Sequence, residues 1–464
     1  MPFVKPGAII ANTDQTLAAE RSANNLGGEM TTAAQTIDDL KKFSYRKTFI
    51  VGFGFLGISI IWPIFNQFIP IFLQAGNPEF ERQLLEAGRE LPQVVGFGLT
   101  PALALFIMTW DNLINVFFQP WVGAKSDSTW TRIGRRKPWI IIGVPLAVIG
   151  FTLIPFAQTA LAIAVFILIT NFGMALFRSP TVSWLGDLYM PEDRSKANGI
   201  INLLGGVGAL IAFFGGGYLF NNFGRVAPFI GGAILLVAAT TVALIGVKEP
   251  EQIDEEEPED EGVLANLRAA WQNPDKSGLY VLLGILLWFM AFNALEAGLS
   301  SFAVFSLGMA PGTASIFAGA VSVTFILAAM PAGFLGTKYG RRSIISIGLI
   351  ALTIILLASF FIIQDPVTFV IALVLTGIFW AFVNVNSLPL VYDHGDERRI
   401  GAYTGLYYFS SQLAAVLGPT MGGIMVDLLG DQYRWLFMYG TIFMFLALLA
   451  ITRVKPRPQI ESQK

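Results

Sequence analysis

Twelve stretches of predominantly apolar residues run along the chain, and each is long enough to cross a bilayer as a helix, which takes about 20 residues. The first six cover Thr48 to Leu73, Gly98 to Val122, Trp139 to Ala157, Leu161 to Leu185, Asn198 to Phe220 and Val226 to Val247. After a polar break come Gly278 to Leu307, Gly312 to Gly336, Ser343 to Ile363, Val367 to Val391, Ile400 to Leu428 and Tyr433 to Thr452. Lipid offers no partners to backbone N–H and C=O groups, so these stretches read as helices and the chain as an all-α integral membrane protein. Hydrophobic residues make up 54% of the 464 and charged ones 13%, a balance that no soluble domain of this size could bury.

Composition also removes several classes of function. Cysteine is absent, and the single histidine, His394, reads as part of a polar turn with Asp393, Gly395 and Asp396, so neither a metal site nor a cofactor is expected. A formal charge of −2 gives no case for nucleic acid. No catalytic cluster stands at an interface, so the chain does not read as an enzyme. Basic residues gather on one side of the predicted topology, at Lys41, Lys42, Arg46, Lys47, Arg132, Arg135, Arg136, Arg341 and Arg342 among others. Only Arg82, Arg89, Arg225 and Arg434 fall on the other, so both termini are expected in the cytoplasm and the protein in the cell membrane.

Residues 1–47 form a polar tail without the pattern of a cleaved signal, and 48–248 a first six-helix bundle. An acidic run, EQIDEEEPEDEG, lies within 249–277 and cannot enter a membrane; with the following VLANLRAAWQ, a candidate interfacial helix, it reads as a solvated tether. Residues 278–453 form a second bundle and 454–464 a short tail. The bundles repeat one another: Gly-Arg-Arg occurs at Gly134, Arg135 and Arg136 and again, 206 positions on, at Gly340, Arg341 and Arg342. Gly216-Gly217 and Gly422-Gly423 share that offset. Parallel six-helix repeats joined by a linker are a transporter architecture with its site between the halves.

The segment Gln119 to Ile140, QPWVGAKSDSTWTRIGRRKPWI, carries Gly123 and Asp127 followed by Arg132, Gly134, Arg135 and Arg136. This pattern resembles the loop of the major facilitator superfamily. Its spacing, with Gln119-Pro120 before it and Lys137-Pro138-Trp139 after it, is similar to that of the sucrose/proton symporters and the glycoside-pentoside-hexuronide:cation symporters. Asn386-Ser387-Leu388-Pro389 resembles a Ser-Ile-Pro stretch of those sucrose carriers. The resemblance implies two pseudo-symmetric bundles, alternating access, and proton-coupled symport of a glycoside or disaccharide by a monomer. A carboxylate at Asp127 facing several guanidinium groups can latch neighbouring helices in one state and release them in another. Two departures stand out. Val182 takes the place of a sugar-binding arginine of the plant carriers, with Arg178 nearby, and Asn115 and Gln119 align with aspartates of sodium-coupled relatives.

Three charges fall inside apolar spans, namely Asp111, Arg178 and Glu296, and each is costly unless it faces a cavity or a partner. By the resemblance, the first, fourth, seventh and tenth spans line the cavity. Asn66, Gln67, Arg178, Trp288, Asn293, Trp380, Asn384 and Asn386 are therefore the candidate substrate contacts, since donors, acceptors and aromatic faces suit a sugar. The alternative is that the tryptophans form interfacial belts and the asparagines tie helices together. Glu296 is the candidate coupling carboxylate, with Arg178 as its cation. Asp111 is the second coupling candidate, although it comes early in a span that ends inside, which places it toward the outer surface. Export of another small molecule remains a competing reading, although the Gly-Pro-x-x-x-Gly mark of exporters occurs here at Gly418 to Gly423 in the eleventh span rather than the fifth. Sodium-coupled sugar symport is a further alternative.

Overall fold

The computed structural model describes residues 43–249, 267–268, 271–272, 274–394 and 400–455. Twelve helices in it are long and apolar enough to cross a membrane. In chain order, α1 to α6 are Tyr45–Gln74, Pro101–Asp127, Lys137–Phe156, Ala160–Leu188, Lys196–Phe223 and Ala227–Gly246. The helices α7 to α12 are Ser277–Ser306, Pro311–Tyr339, Arg341–Ile362, Pro366–Asp393, Tyr403–Leu428 and Trp435–Thr452. Local chemistry sets their ends. Thr159 caps α4 by accepting the Ala162 N–H at 3.1 Å. Gly224, at φ +83°, stops α5 in a conformation that residues with a Cβ resist.

The helices pack around two large hydrophobic cores. One contains Phe65, Phe151, Phe177 and Trp184 from the first six helices. The other contains Trp288, Phe369, Trp380 and Phe437 from the last six, joined by Ile71, Ala75, Phe80 and Leu105 from the first half. Those four borrowed residues lie at one end of the molecule, away from the arginine-bearing loops, and there the halves are sealed together. Gln74 Nε2 donates to Ser301 Oγ at 3.0 Å, and the Tyr433 hydroxyl donates to Gln74 Oε1. Gln83 Nε2 donates to the Gly430 carbonyl at 2.8 Å, and Arg89 to that of Gln364 at 2.7 Å. Asp427 accepts the Ala102 N–H at 2.9 Å, which puts a carboxylate from α11 at the N-terminus of α2.

Glycine makes this seal possible. A Cβ on Gly217 would overlap the Gly312 carbonyl and a Cβ on Gly312 that of Gly217, so α5 and α8 touch through their backbones. Gly423, the repeat partner of Gly217, seats α11 on α2, where an added Cβ would lie 2.9 Å from Ala102 Cα. Overpacking of this kind costs about 1–3 kcal/mol, or roughly tenfold in an equilibrium. Gly217→Leu is therefore expected to part the sealed ends. A cysteine placed at Thr313 in this otherwise cysteine-free chain is then expected to react about tenfold faster with a membrane-impermeant maleimide. An unchanged rate would show that the seal does not depend on the glycine contact.

Three boundaries differ from those read in the sequence. The second span continues as helix to Asp127, so Gly123 and Asp127 occupy its last turns rather than a loop. His394 closes the helix Pro366–His394 rather than sitting in a turn. Glu249, assigned to the solvated tether, is tied into the folded protein. Residues 1–42 of the tail, the acidic run, most of the candidate interfacial helix, and Arg398 and Arg399 lie outside the described residues.

Candidate functional site

Two of the three intramembrane charges, Asp111 and Glu296, meet between the bundles, and Arg178 acts on Asp111 rather than on Glu296, the partner expected from the sequence. Glu296 on α7, Asp111 and Asn112 on α2, Asn66 on α1 and Asn293 on α7 line one partly open cleft. Asn112 Nδ2 donates to Asp111 Oδ1 at 3.0 Å, and the Asn66 side chain faces the Glu296 carboxylate. Arg178 on α4 and Glu296 both lie within electrostatic reach of Asp111, and Tyr408 on α11 lies near Arg178. Asp111 thus belongs to the interior cluster and not to the outer surface. Its position along the chain misled because α2 breaks at Met108 and Thr109, and the helix that restarts at Trp110 turns its first acid inward.

The other candidate contacts divide. Gln67 borders a second, apolar cleft that also touches Glu296; the side chain is 2% exposed, and its Oε1 has no partner among the described residues. Trp288 is 0% exposed inside the second core, so it packs the bundle and does not face the polar cleft. Trp380 is nearly as buried and stacks on Phe292 with ring centroids 4.1 Å apart. Asn386 Nδ2 donates to the carbonyls of Ala332 (3.1 Å) and Phe382 (3.0 Å), and its amide presses on Gly336. It ties α8 to α10, which corresponds to the helix-gluing alternative. Asn384, the repeat partner of Arg178, is half-buried.

At the basic end, Arg135 and Arg136 are 4% and 3% exposed and hold a tighter network than the loop alone suggests. Asp187, at the end of α4, accepts from Arg135 at 2.8 Å and from Arg136 Nε at 2.8 Å. Asp127 pairs with Arg136 and lies 3.9 Å from Arg135, but it is 42% exposed against 8% for Asp187. The buried acid that pairs with both arginines is therefore Asp187. Glu249 completes the network: its Oε2 accepts the N–H groups of Arg135 (2.6 Å) and Arg136 (2.9 Å), and its Oε1 those of Lys137 (3.0 Å) and the Trp184 indole (3.0 Å). This carboxylate caps the N-terminus of α3, where exposed amides and the helix dipole favour an anion. Gly134, at φ +116°, leaves the space it needs, since a Cβ there would collide with Glu249. Arg132 lies beside this group on the exposed face of the loop.

The second repeat keeps part of this design. Asp393, 206 positions after Asp187, pairs with Arg341, and Gly340 again has a positive φ, +89°. Arg342 instead donates to the carbonyls of Ile451 (3.2 Å) and Thr452 (2.9 Å), at the C-terminal end of α12. Lys455 stands where the repeat offset would put a counterpart of Glu249, so the network is not duplicated in full. Asp187 and Glu249 could have been found in the sequence by applying the repeat offset to Asp393 and by weighing a lone glutamate just beyond the sixth span.

Two helical bundles that share a charged cleft and are sealed at one end define a membrane transporter. The sequence profile of the Major Facilitator Superfamily matches residues 48–317 and 299–464, and the chain belongs to that superfamily. It is 26% identical over 412 residues to multidrug resistance protein 2 of Bacillus subtilis (strain 168), covering 87% of this chain and 93% of that one. It is also 26% identical over 188 residues to proton-associated sugar transporter A of Rattus norvegicus, a match to 36% of this chain and 25% of that protein. Among solved structures, a point mutant of the nucleoside transporter NupG superposes with a TM-score of 0.66 at 14% identity, over 88% of this chain and all of that one. That likeness is one of fold.

Proposed function

We propose that this transporter is a proton-coupled symporter of a glycoside, of about disaccharide size, that works as a monomer by alternating access in the cell membrane. The observation that carries this reading is the meeting of Glu296 and Asp111 at one polar cleft between the bundles, with Arg178 within electrostatic reach of Asp111. Two carboxylates and one guanidinium leave a spare negative charge. A proton on either acid balances that charge, and the neutral acid becomes a donor for a substrate hydroxyl. Substrate and proton then load together. Placing the basic face in the cytoplasm, as the positive-inside rule directs, makes the sealed end the outer one. Arg135 and Arg136 then belong to the cytoplasmic latch, which holds α2, α3 and α4 together on that side.

Proteoliposomes test this directly. Uptake of radiolabelled sucrose and related disaccharides is expected to rise with an imposed pH gradient and to fall to the equilibrium level with a protonophore. A sodium gradient at constant pH is expected to have no effect, because Asn115 and Gln119 supply no carboxylate for a hard cation. Acceleration by sodium would overturn the proton assignment. Export is a second reading, supported by similarity to a multidrug resistance protein along most of the chain. Efflux of substrate from loaded vesicles against its gradient, without uptake in the opposite sense, would favour it.

A further inference from the structure

The polar cleft is only half of the space around Glu296. The same carboxylate borders a second, partly open cleft that runs from the bundle interface into the second core. Its walls include Phe292, Leu299, Val321, Leu356, Leu373 and Phe437, of which Leu356, Leu373 and Phe437 are core residues 2%, 5% and 5% exposed. Few polar groups reach it, chiefly Gln67, Ser322 and Thr376. An apolar cleft of this kind is poorly filled by water, and its lining atoms lack packing partners until something apolar enters. A free sugar cannot serve, since its hydroxyls would be stripped of water against hydrocarbon walls. Gln67, whose Oε1 has no partner among the described residues, stands with Glu296 on the lining of this apolar space.

We propose that the substrate is an alkyl glycoside, its hydroxylated head held at Asn66, Asn293 and Glu296 and its hydrocarbon tail lodged in the apolar cleft between α7, α8 and α10. This rests on the glycoside reading of the polar cleft and adds a tail site to it. Both clefts border the Glu296 carboxylate, which puts the head site and the tail site on either side of one residue. The proton that neutralises this acid then also removes the charge from the junction where head passes into tail.

The test uses the full chain in lipid nanodiscs and equilibrium binding of radiolabelled glucose and the ethyl, butyl, hexyl and octyl β-glucosides. Affinity is expected to rise roughly threefold to fourfold for each added methylene until the cleft is full. Val321→Phe and, separately, Leu373→Phe fill the cleft and are expected to flatten that series, so that the ratio of octyl glucoside to glucose affinity falls at least about tenfold. A slope that persists in both variants would come from partition into the lipid and would overturn the tail site. A flat series in the unaltered protein with measurable glucose binding would overturn the tail site and leave the glycoside reading standing. Absence of binding across the whole series, glucose included, would overturn both.

Discussion

Replacing Glu296 by glutamine is expected to abolish accumulation driven by a pH gradient while leaving downhill exchange of substrate intact. Glutamine keeps the shape of the side chain and can still meet the Asn66 amide, but it is fixed in the neutral state. The protein can then bind substrate and move between its two openings, yet no proton travels with it. A gradient of about one pH unit provides roughly 1.4 kcal/mol per proton, or about tenfold accumulation for one proton per substrate. In the Gln variant this ratio is expected to fall to about one, read as the steady-state level of labelled sugar in proteoliposomes with and without the gradient. If the variant still concentrates its substrate, the proton is carried elsewhere. Asp111 is then the residue to change, since it shares the cleft.

Asp187→Asn is expected to lower turnover and thermal stability far more than Asp127→Asn. Asp187 is 8% exposed and faces two guanidinium groups that are themselves 4% exposed, so its loss leaves buried cations with half their compensation. Removing one partner of a buried pair costs about 3–5 kcal/mol, enough to lower the melting temperature in detergent by several degrees and to cut transport severely. Asp127 is 42% exposed, and water replaces much of what its carboxylate contributes; the expected loss is about 1 kcal/mol or less. Comparable effects of the two substitutions would show that the exposed acid is the working partner of the latch. Transport by Asp127→Asn at the unaltered rate, together with collapse in Asp187→Asn, would place the latch on α4.

The spans, the repeat and the charged residues of the site were legible in the sequence because each rests on a local cost. Twenty apolar residues have no other stable home than lipid, and an ionised side chain inside such a span must find a cavity or a partner. Asp111, Arg178 and Glu296 could thus be singled out one by one. The sequence paired Glu296 with Arg178, whereas in the folded protein Glu296 shares a cleft with Asp111 and Arg178 acts on Asp111; which charges meet was decided by packing. That depends on the rotation of each helix about its axis, a property of packing against neighbours rather than of composition. The break at Met108 and Thr109 turns Asp111 into the cleft, and the close fit of Gly336 against Asn386 commits that amide to holding α8 and α10 together. Trp288 and Trp380 followed the same rule: aromatic residues on cavity-lining helices proved to be core because their faces of those helices point into the bundle.

Long-range partners were hidden for a related reason. Glu249 lies more than a hundred residues from the amides it caps, and the run of acids that follows it made it look solvated. Only the return of α6 to the basic face brings its carboxylate to the start of α3, where unpaired amides and the helix dipole hold it. The apolar cleft beside Glu296 is likewise a gap left between helices, most of them of the second bundle, and no residue type announces a gap. Composition and periodicity determined that this chain spans a membrane twelve times and buries charge inside it, because those follow from the free energy of single residues in lipid. The tertiary structure decided which charges share a cleft, which acid holds the arginines and where the apolar space opens, because those follow from how the helices pack.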